Sequence, residues 1–335
     1  MTRIAINGYG RVGRCILRAI HQRGLRDRLD IIAINDLAKP ELMVHLTRFD
    51  STHGYFDPTV TWTDGALQVD GRAIAVSQQA DPAQLRWREL GIDLVLECSG
   101  KFKQRSALVG HLDAGAPRVL ASHPVEDADK TVVYGVNHHE LTAGQRIISN
   151  ASCTTNCLAP VVKILHEAIG IEHGAMTTVH SYTNDQQLLD KTHGDAYRSR
   201  AAVQSVIPTR TGAAAAIGLV MPELAGKLSG MALRVPTPNV SLIDLHFTSA
   251  RDTGVAEIND LMRAAAAGDW RDIVAYNDLP LVSIDFNHHP ASCIFDANHT
   301  GVHGRQIKVM AWYDNEWGFS NRMVDMALYL TETAA

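Results

Sequence analysis

A short apolar run, Ile4-Ala5-Ile6-Asn7, breaks directly into Gly8-Tyr9-Gly10-Arg11-Val12-Gly13-Arg14 and then into the helical spacing of Ile16, Leu17 and Ile20. Strand, glycine turn and helix in immediate succession leave few folds open. Gly8 makes the tight turn, Gly10 lets the backbone approach a pyrophosphate, and Gly13 lets helix and strand pack closely. The helix N-terminus then supplies free N–H groups for phosphate oxygens. A glycine-rich βα turn without a ligand is the alternative reading of these glycines taken alone. The next strand, 30–36, ends in Asp36. A carboxylate about twenty residues past such glycines accepts hydrogen bonds from the adenine-ribose hydroxyls of NAD, and its charge repels a 2′-phosphate. An Asp that merely caps the next helix is the bland alternative. Together the two features point to a dinucleotide, and to NAD over NADP.

Further strands are expected at 73–76, 93–100 and 118–122, with helical stretches alternating between them. The first ~150 residues therefore read as an α/β fold, a Rossmann-type doubly wound and mostly parallel sheet. Ser99, Gly100 and Ser122 fall at strand C-termini, the edge where such sheets bind ligands. Beyond residue 153 the character changes to α+β with a mixed or antiparallel sheet. Strands are expected at 175–180, 232–235, 241–247, 281–286 and 307–313, with helices at 257–267 and 321–330. The polar segment 185–205 has little periodicity and reads as an ordered surface or interface loop.

The segment 147–160 repeats the strand-to-helix pattern around a thiol: Ile147-Ile148-Ser149-Asn150-Ala151-Ser152-Cys153-Thr154-Thr155-Asn156-Cys157-Leu158-Ala159-Pro160. Leu158, Val161, Val162 and Leu165 continue at helical spacing, and Ser, Thr and Asn ahead of them are helix-capping residues. Cys153 is therefore expected at the positive end of a helix, where a thiolate is stabilised and the thiol pKa falls. A lone Cys is more commonly a packed core residue, but here the neighbours are polar. Cys157, one turn on, reads as such a packed neighbour. His180 closes a strand and is followed by Ser181-Tyr182-Thr183-Asn184-Asp185. A His so placed suits the partner or general base of a thiol, although any one of the sixteen His is more often a surface residue.

With 335 residues the chain has room for two domains. A formal charge of −5 offers no basic patch for nucleic acid and no polybasic segment for a membrane. No apolar run approaches the ~20 residues that span a bilayer, and the start of the chain reads as a strand rather than a signal peptide. Five Cys without a CxxC pair favour a reducing, cytoplasmic setting. The pairs His138-His139 and His288-His289 lack the spaced ligands of a zinc site, so no metal is expected.

INGYGRVGR, AIND, SNASCTTNCLAP, HSYTNDQ, SRAAVQSVIPTRTGAA, LRVPTPNVSLIDL and WYDNEWGFSNRM occur in this order over essentially the whole chain. In this combination the sequence resembles the phosphorylating glyceraldehyde-3-phosphate dehydrogenase family. The resemblance implies that Cys153 attacks an aldehyde to give a thiohemiacetal, with His180 accepting the proton. Hydride passes to NAD, and inorganic phosphate cleaves the resulting thioester. It further implies that Thr183 and Arg234 serve the substrate phosphate. Ser152, Thr154, Thr211 and Gly212 would serve the attacking phosphate, with Arg198 between the two. Arg11 and Val12 would contribute backbone N–H groups to the pyrophosphate, and Asn315 would orient the nicotinamide carboxamide. By the same resemblance the protein is a cytosolic homotetramer. Its NAD-binding domain spans 1–152 and 316–335, and its catalytic domain 153–315.

Three departures stand out. Where NAD-specific members carry Leu-Pro, this chain has Lys191-Thr192, which could meet a 2′-phosphate and admit NADP as a second cofactor. Ala215 stands where the family has a lysine. The stretches 122–124, 131–137 and 285–288 resemble the sister family, erythrose-4-phosphate dehydrogenase, which releases an acid to water. The segments 182–185 and 211–212 follow the glyceraldehyde pattern, and since they touch substrate and phosphate they take precedence. An NAD-binding protein with an interaction or regulatory role is the alternative of another class, which the thiol and His180 disfavour.

Overall fold

Strand β1 (Thr2–Asn7) is buried from Ile4 to Asn7, as a central parallel strand covered on both faces must be. In the computed structural model, which describes residues 1–332, chain contacts divide the molecule into two units. The first comprises Met1–Tyr134, Glu140–Ala151 and the chain from Ser320 onward. The second comprises Gly135–His139 and Ser152–Phe319. Residues 333–335, expected within the NAD-binding domain, lie outside the described residues.

In the first unit, β1 is followed by α1 (Arg11–Gln22), β2 (Leu29–Asn35), α2 (Pro40–Arg48) and a small pair, β3 (Phe49–Asp50) and β4 (Gly54–Tyr55). Then come β5 (Val60–Thr63), β6 (Ala66–Val69), β7 (Arg72–Ser77), β8 (Leu94–Glu97), α3 (Arg105–Asp113), β9 (Arg118–Ala121), β10 (Lys130–Thr131) and β11 (Ile147–Ser149). The nine-stranded sheet runs β10-β11-β9-β8-β1-β2-β7-β6-β5. Its strands are parallel except at the β5–β6–β7 end. That end departs from the expected alternation of strands and helices. Asp64-Gly65 and Asp70-Gly71 all take positive φ, which closes two tight hairpins where a crossover helix would otherwise run.

The second unit holds α4 (Cys153–Ile169), β12 (Ile171–Ser181), β13 (Ile207–Arg210), α5 (Ala213–Val220), β14 (Leu228–Val235), β15 (Ser241–Ser249) and α6 (Val255–Ala267). It continues with β16 (Val274–Asn277), β17 (Cys293–His303) and β18 (Gln306–Tyr313); α7 (Trp317–Glu332) then carries the chain into the first unit. The seven-stranded mixed sheet runs β13-β14-β12-β15-β18-β17-β16. Alternation decides which face is covered. Met176, Thr178 and His180 on β12, Ile243, Leu245 and Phe247 on β15, and Val309, Ala311 and Tyr313 on β18 are all buried. Helix α4 packs on these strands with Leu158, Val161, Val162 and Leu165 fully buried. Each such side chain stabilises the fold by about 1.5–3 kcal/mol relative to exposure. The expected strand at 281–286 is instead a 3-10 turn, Ser283–Phe286, with the Asp285 carboxylate accepting the Val282 N–H at 2.9 Å. Val282 and Ile284 are exposed, so the alternation there marked no buried sheet face.

Gly8 has φ +89°, and a Cβ on it would stand 2.4 Å from the Ser99 nitrogen. Gly24 also has positive φ, but a Cβ there meets nothing within 4 Å. We expect Gly24→Ala to cost about 1 kcal/mol through backbone strain alone. Gly8→Ala should cost at least about 2 kcal/mol more. Urea unfolding of the two variants measures the difference; equal losses would mean that the approach of β1 to Ser99 is not what requires glycine.

Candidate active site

The dinucleotide cleft belongs to the first unit. It lies at the C-terminal edge of the sheet, where the strand order reverses about β1 and α1 begins. A cavity of about 210 Å³ is lined there by Gly8, Gly10, Asp36, Ser99 and Lys101, among others. Gly10 is the N-cap of α1 and has no side chain to cap it, so the helix start that follows with Arg11 and Val12 is open to an outside anion. The Arg11 guanidinium is taken up by Asp50 at 2.5 Å. A Cβ on Gly13 would stand 2.5 Å from the Gly8 carbonyl oxygen, so glycine is what lets α1 start this close to β1. At Gly10, by contrast, a Cβ would meet no heavy atom within 4 Å. That open cradle, beside uncapped N–H donors, fits a pyrophosphate.

Asp36 is held rigidly. Its Oδ2 accepts the Tyr9 N–H at 2.7 Å and its Oδ1 the Ala38 N–H at 2.8 Å, with lone pairs remaining for ribose hydroxyls. Ser99 donates both its N–H and its hydroxyl to Glu97 Oε1, at 2.7 and 2.5 Å. Gly100 follows with φ +67°, and the Ser122 N–H donates to the Glu97 carbonyl at 2.9 Å. Glu97 itself is fully buried. Burial alone would push its carboxyl up, but hydrogen bonds from His111, Ser99 and Asn7 outweigh that and hold it below the usual range. The Trp87 indole N–H donates to His111 Nδ1 at 3.0 Å, which directs the proton on Nε2 to Glu97. This buried network under Ser99 was not visible in the sequence, where Trp87, Glu97 and His111 carry no motif of their own.

In the second unit Cys153 is the first residue of α4. Ala151, at φ +56°, turns the chain so that Ser152 becomes the N-cap, and the Ser152 hydroxyl accepts the Thr155 N–H at 3.1 Å. Strand β12 pairs parallel to β14 with His180 directly opposite Arg234, so both side chains leave the same face of the sheet. The result is a cluster. Cys153 Sγ lies 3.5 Å from His180 Nε2. His180 Nδ1 lies 2.7 Å from the Ser181 carbonyl and 2.6 Å from Arg234 Nη1.

Tyr313, which the sequence reading passed over although it sits in WYDNEWGFSNRM, ties the floor of this cluster together. Its hydroxyl meets those of Thr154 at 2.9 Å and Thr178 at 2.8 Å, and its ring packs edge-on against His180. Ser241 Oγ accepts the Ser181 N–H at 3.0 Å and donates to Asn315 Oδ1 at 2.7 Å, which fixes the Asn315 amide.

Burial pushes the Cys153 thiol up, against the pull of Arg234 and of the Thr154 N–H and hydroxyl. The expected fall in thiol pKa is therefore corrected. The helix start is present, but desolvation of the half-buried thiol outweighs it. Burial and the Arg234 charge hold His180 down to about 3. Both shifts favour the uncharged forms, and the 3.5 Å separation puts the sulfur and Nε2 within reach of proton transfer.

The other anion-binding candidates, Thr183, Arg198, Thr211 and Gly212, lie on the chain between β12 and α5. Thr183 directs its N–H and hydroxyl to Gln186 Oε1, at 2.9 and 3.1 Å. Arg198 donates to Asp185, to the Thr209 hydroxyl at 2.8 Å and to the Arg210 carbonyl at 3.4 Å. Gly212 is the N-cap of α5, and the Thr211 hydroxyl accepts the Ala213 N–H at 3.2 Å.

Two family models match the chain. Residues 2–105 match the glyceraldehyde 3-phosphate dehydrogenase NAD binding domain, and residues 152–315 match the C-terminal domain of the same family. Glyceraldehyde-3-phosphate dehydrogenase of Pseudomonas aeruginosa is 58% identical over 328 residues, covering 98% of each chain. The chromosomal enzyme of that name from Cupriavidus necator is 56% identical over 329 residues, again 98% of each. That of Zymomonas mobilis is 51% identical over 334 residues, 99% of each.

We expect Gly10→Ala to fold with unchanged stability, because its methyl group meets no protein atom, and to weaken NAD binding at least about ten-fold by filling the cradle. Thermal unfolding and calorimetric titration with NAD read the two effects separately; undiminished affinity would move the pyrophosphate away from this turn.

Proposed function

Because the chain belongs to the phosphorylating glyceraldehyde-3-phosphate dehydrogenase family, and is an NAD-dependent oxidoreductase acting on an aldehyde group, we propose that it oxidises D-glyceraldehyde 3-phosphate to 1,3-bisphosphoglycerate through a thioester on Cys153. The observation that carries this reading is the 3.5 Å approach of Cys153 Sγ to His180 Nε2 at the start of α4.

The sulfur attacks the aldehyde carbon as the thiol proton passes to Nε2, and Nε2 hands that proton on to the aldehyde oxygen, giving a neutral thiohemiacetal and a free base. N–H groups in the first turn of α4 favour the charge that develops beside them. His180 next removes the proton of the thiohemiacetal hydroxyl, and the carbon gives up a hydride. When bound, NAD supplies the acceptor for that hydride. Inorganic phosphate then attacks the thioester carbonyl, the C–S bond breaks, and acyl phosphate leaves with Cys153 restored.

Arg234 and Thr183 hold the phosphate of the substrate; Ser152, Thr154, Thr211 and Gly212 hold the attacking phosphate, with Arg198 between them. Hydroxyls, helix N-terminal N–H groups and guanidinium forks are the donors phosphate oxygens take. Asn315, its Oδ1 engaged by Ser241, presents its amide N–H₂ to the nicotinamide carboxamide. Residues 1–152 with 316–335 form the NAD-binding domain, and 153–315 the catalytic domain.

The reaction belongs to glycolysis and its reverse. Five free thiols suit the cytoplasm, where they stay reduced. The chain works as a homotetramer, a reading supported by the apolar surface that Leu188, Leu189, Tyr197 and Val206 expose on and beside the 185–205 loop. NAD is the preferred cofactor because Asp36 faces the cleft, and Lys191 with Thr192 allows NADP as a second one.

One kinetic comparison tests these assignments: kcat/KM for glyceraldehyde 3-phosphate and erythrose 4-phosphate, with NAD and with NADP, each with and without inorganic phosphate. The three-carbon aldehyde should win by at least about ten-fold, with turnover that needs phosphate and prefers NAD. A phosphate-independent preference for the four-carbon aldehyde would overturn the roles given to Thr211 and Gly212, and a preference for NADP the role given to Asp36.

A further inference from the structure

Along the floor of the dinucleotide cleft, one carboxylate sets the direction of a whole row of hydrogen bonds. Glu97 ends β8 and is fully buried, and the oxygens of a carboxylate only accept. Its Oε1 takes the Ser99 N–H and hydroxyl. Its Oε2 takes the Asn7 side-chain N–H at 2.5 Å, which leaves the Asn7 oxygen facing away. That oxygen accepts from the Asn35 side chain at 2.7 Å. The Asn35 amide then grips the Gln79 backbone at both of its polar groups, accepting the N–H at 2.8 Å and donating to the carbonyl at 2.8 Å. The Asn35 oxygen also accepts the Ser77 hydroxyl at 2.9 Å. The row thus crosses the C-terminal ends of β8, β1, β2 and β7, which are neighbours in the sheet. Asn7, Asn35, Gln79 and Ser99 all line the one cleft.

We propose that Glu97 is a positioning residue for the dinucleotide: it holds Ser99 directly and Gln79 through Asn7 and Asn35, so that both walls of the cleft are set before the cofactor arrives. The inference rests on the reading of this cleft as the NAD site.

Three observations support it. The two ends of the row demand the same direction, because the carboxylate only accepts and the Gln79 N–H only donates. Asn7 and Asn35 are buried and bonded through both side-chain atoms, so turning one amide sets donor against donor at the next. The third neighbour of Glu97 offers no escape. His111 Nε2 faces Oε2 at 3.0 Å while Nδ1 receives the Trp87 indole N–H at 3.0 Å, so moving the imidazole hydrogen to Nδ1 sets it against Trp87. In Glu97→Gln the new amide oxygen can keep Ser99, but its N–H₂ then meets donors on Asn7 and His111. Turning the side chains moves the conflict along the row to Asn35 and Gln79 without removing it. Adding Asn7→Asp removes it from the row, since a carboxylate at position 7 accepts from the glutamine and from Asn35 together. Walls fixed in advance lose less freedom when a ligand binds.

The test compares the wild-type protein, Glu97→Gln and the double variant Asn7→Asp/Glu97→Gln at a temperature where all three are folded. By calorimetry Glu97→Gln should bind NAD at least about ten-fold more weakly. The double variant should return to within about three-fold of the wild type. Hydrogen exchange without ligand, read by mass spectrometry, should be at least about ten-fold faster in Glu97→Gln over both 77–80 and 98–101, and should slow again in the double variant. If Glu97→Gln does not fold, the wild type decides alone: both segments should be protected before NAD is added, and protection that appears only with NAD overturns the proposal. A lowered Tm with unchanged NAD affinity makes Glu97 merely structural and overturns it. Faster exchange at 98–101 alone overturns the connection to Gln79. Wild-type protein that binds no NAD overturns the reading of the cleft together with the proposal.

Discussion

The chemistry of the second unit depends on one pairing, the parallel register of β12 with β14. It sets His180 opposite Arg234, strand against strand, with no loop to blur their separation. Once those two side chains share a buried face, the apolar stripe of α4 determines what covers them. Leu158, Val161, Val162 and Leu165 seat the helix on that face, and its first residue, Cys153, meets the imidazole. A nucleophile on a helix start and a base on a sheet are held by two rigid elements whose mutual placement is set by the core.

Electrostatically the cluster is unbalanced, and that imbalance is informative. Arg198 lies against Asp185, so its charge is largely compensated at rest. Arg234 hydrogen-bonds an imidazole nitrogen and a carbonyl oxygen, and among the described residues no carboxylate forms a salt bridge with it. A half-buried cation with no carboxylate at hydrogen-bond distance has the most to gain when a dianion arrives. Burial, which favours the uncharged forms of both the thiol and the imidazole, also strengthens every charge–charge interaction once an anion is present.

Local signals made much of this legible. The turn at Gly8, Gly10 and Gly13 could be read because backbone φ and close approach are demands that glycine alone meets. Cys153 could be placed at a helix start because Ser152 is a capping residue. What escaped was non-local. His180 stood out among sixteen histidines only by closing a strand ahead of a polar run, a weak signal until the family resemblance was added. Its neighbour Arg234 is 54 residues away and reaches it only through strand register, which no short window reveals. Tyr313 was passed over because its contacts with Thr154 and Thr178 are non-local, and desolvation at Cys153 reversed the expected direction of its acidity. The hairpins at Asp64-Gly65 and Asp70-Gly71 were local and readable; the expectation of alternating helices overrode them.

The Tyr313 hydroxyl joins the first turn of α4 to β12 through Thr154 and Thr178, with the tyrosine anchored on β18. Three elements of one core are thereby clamped within a few bonds of the sulfur. Fraying of the helix start, ordinarily the least stable part of any helix, is suppressed where it would scatter the thiol. Loss of the thiol's placement is thereby tied to loss of the core on which Tyr313, Thr154 and Thr178 are seated.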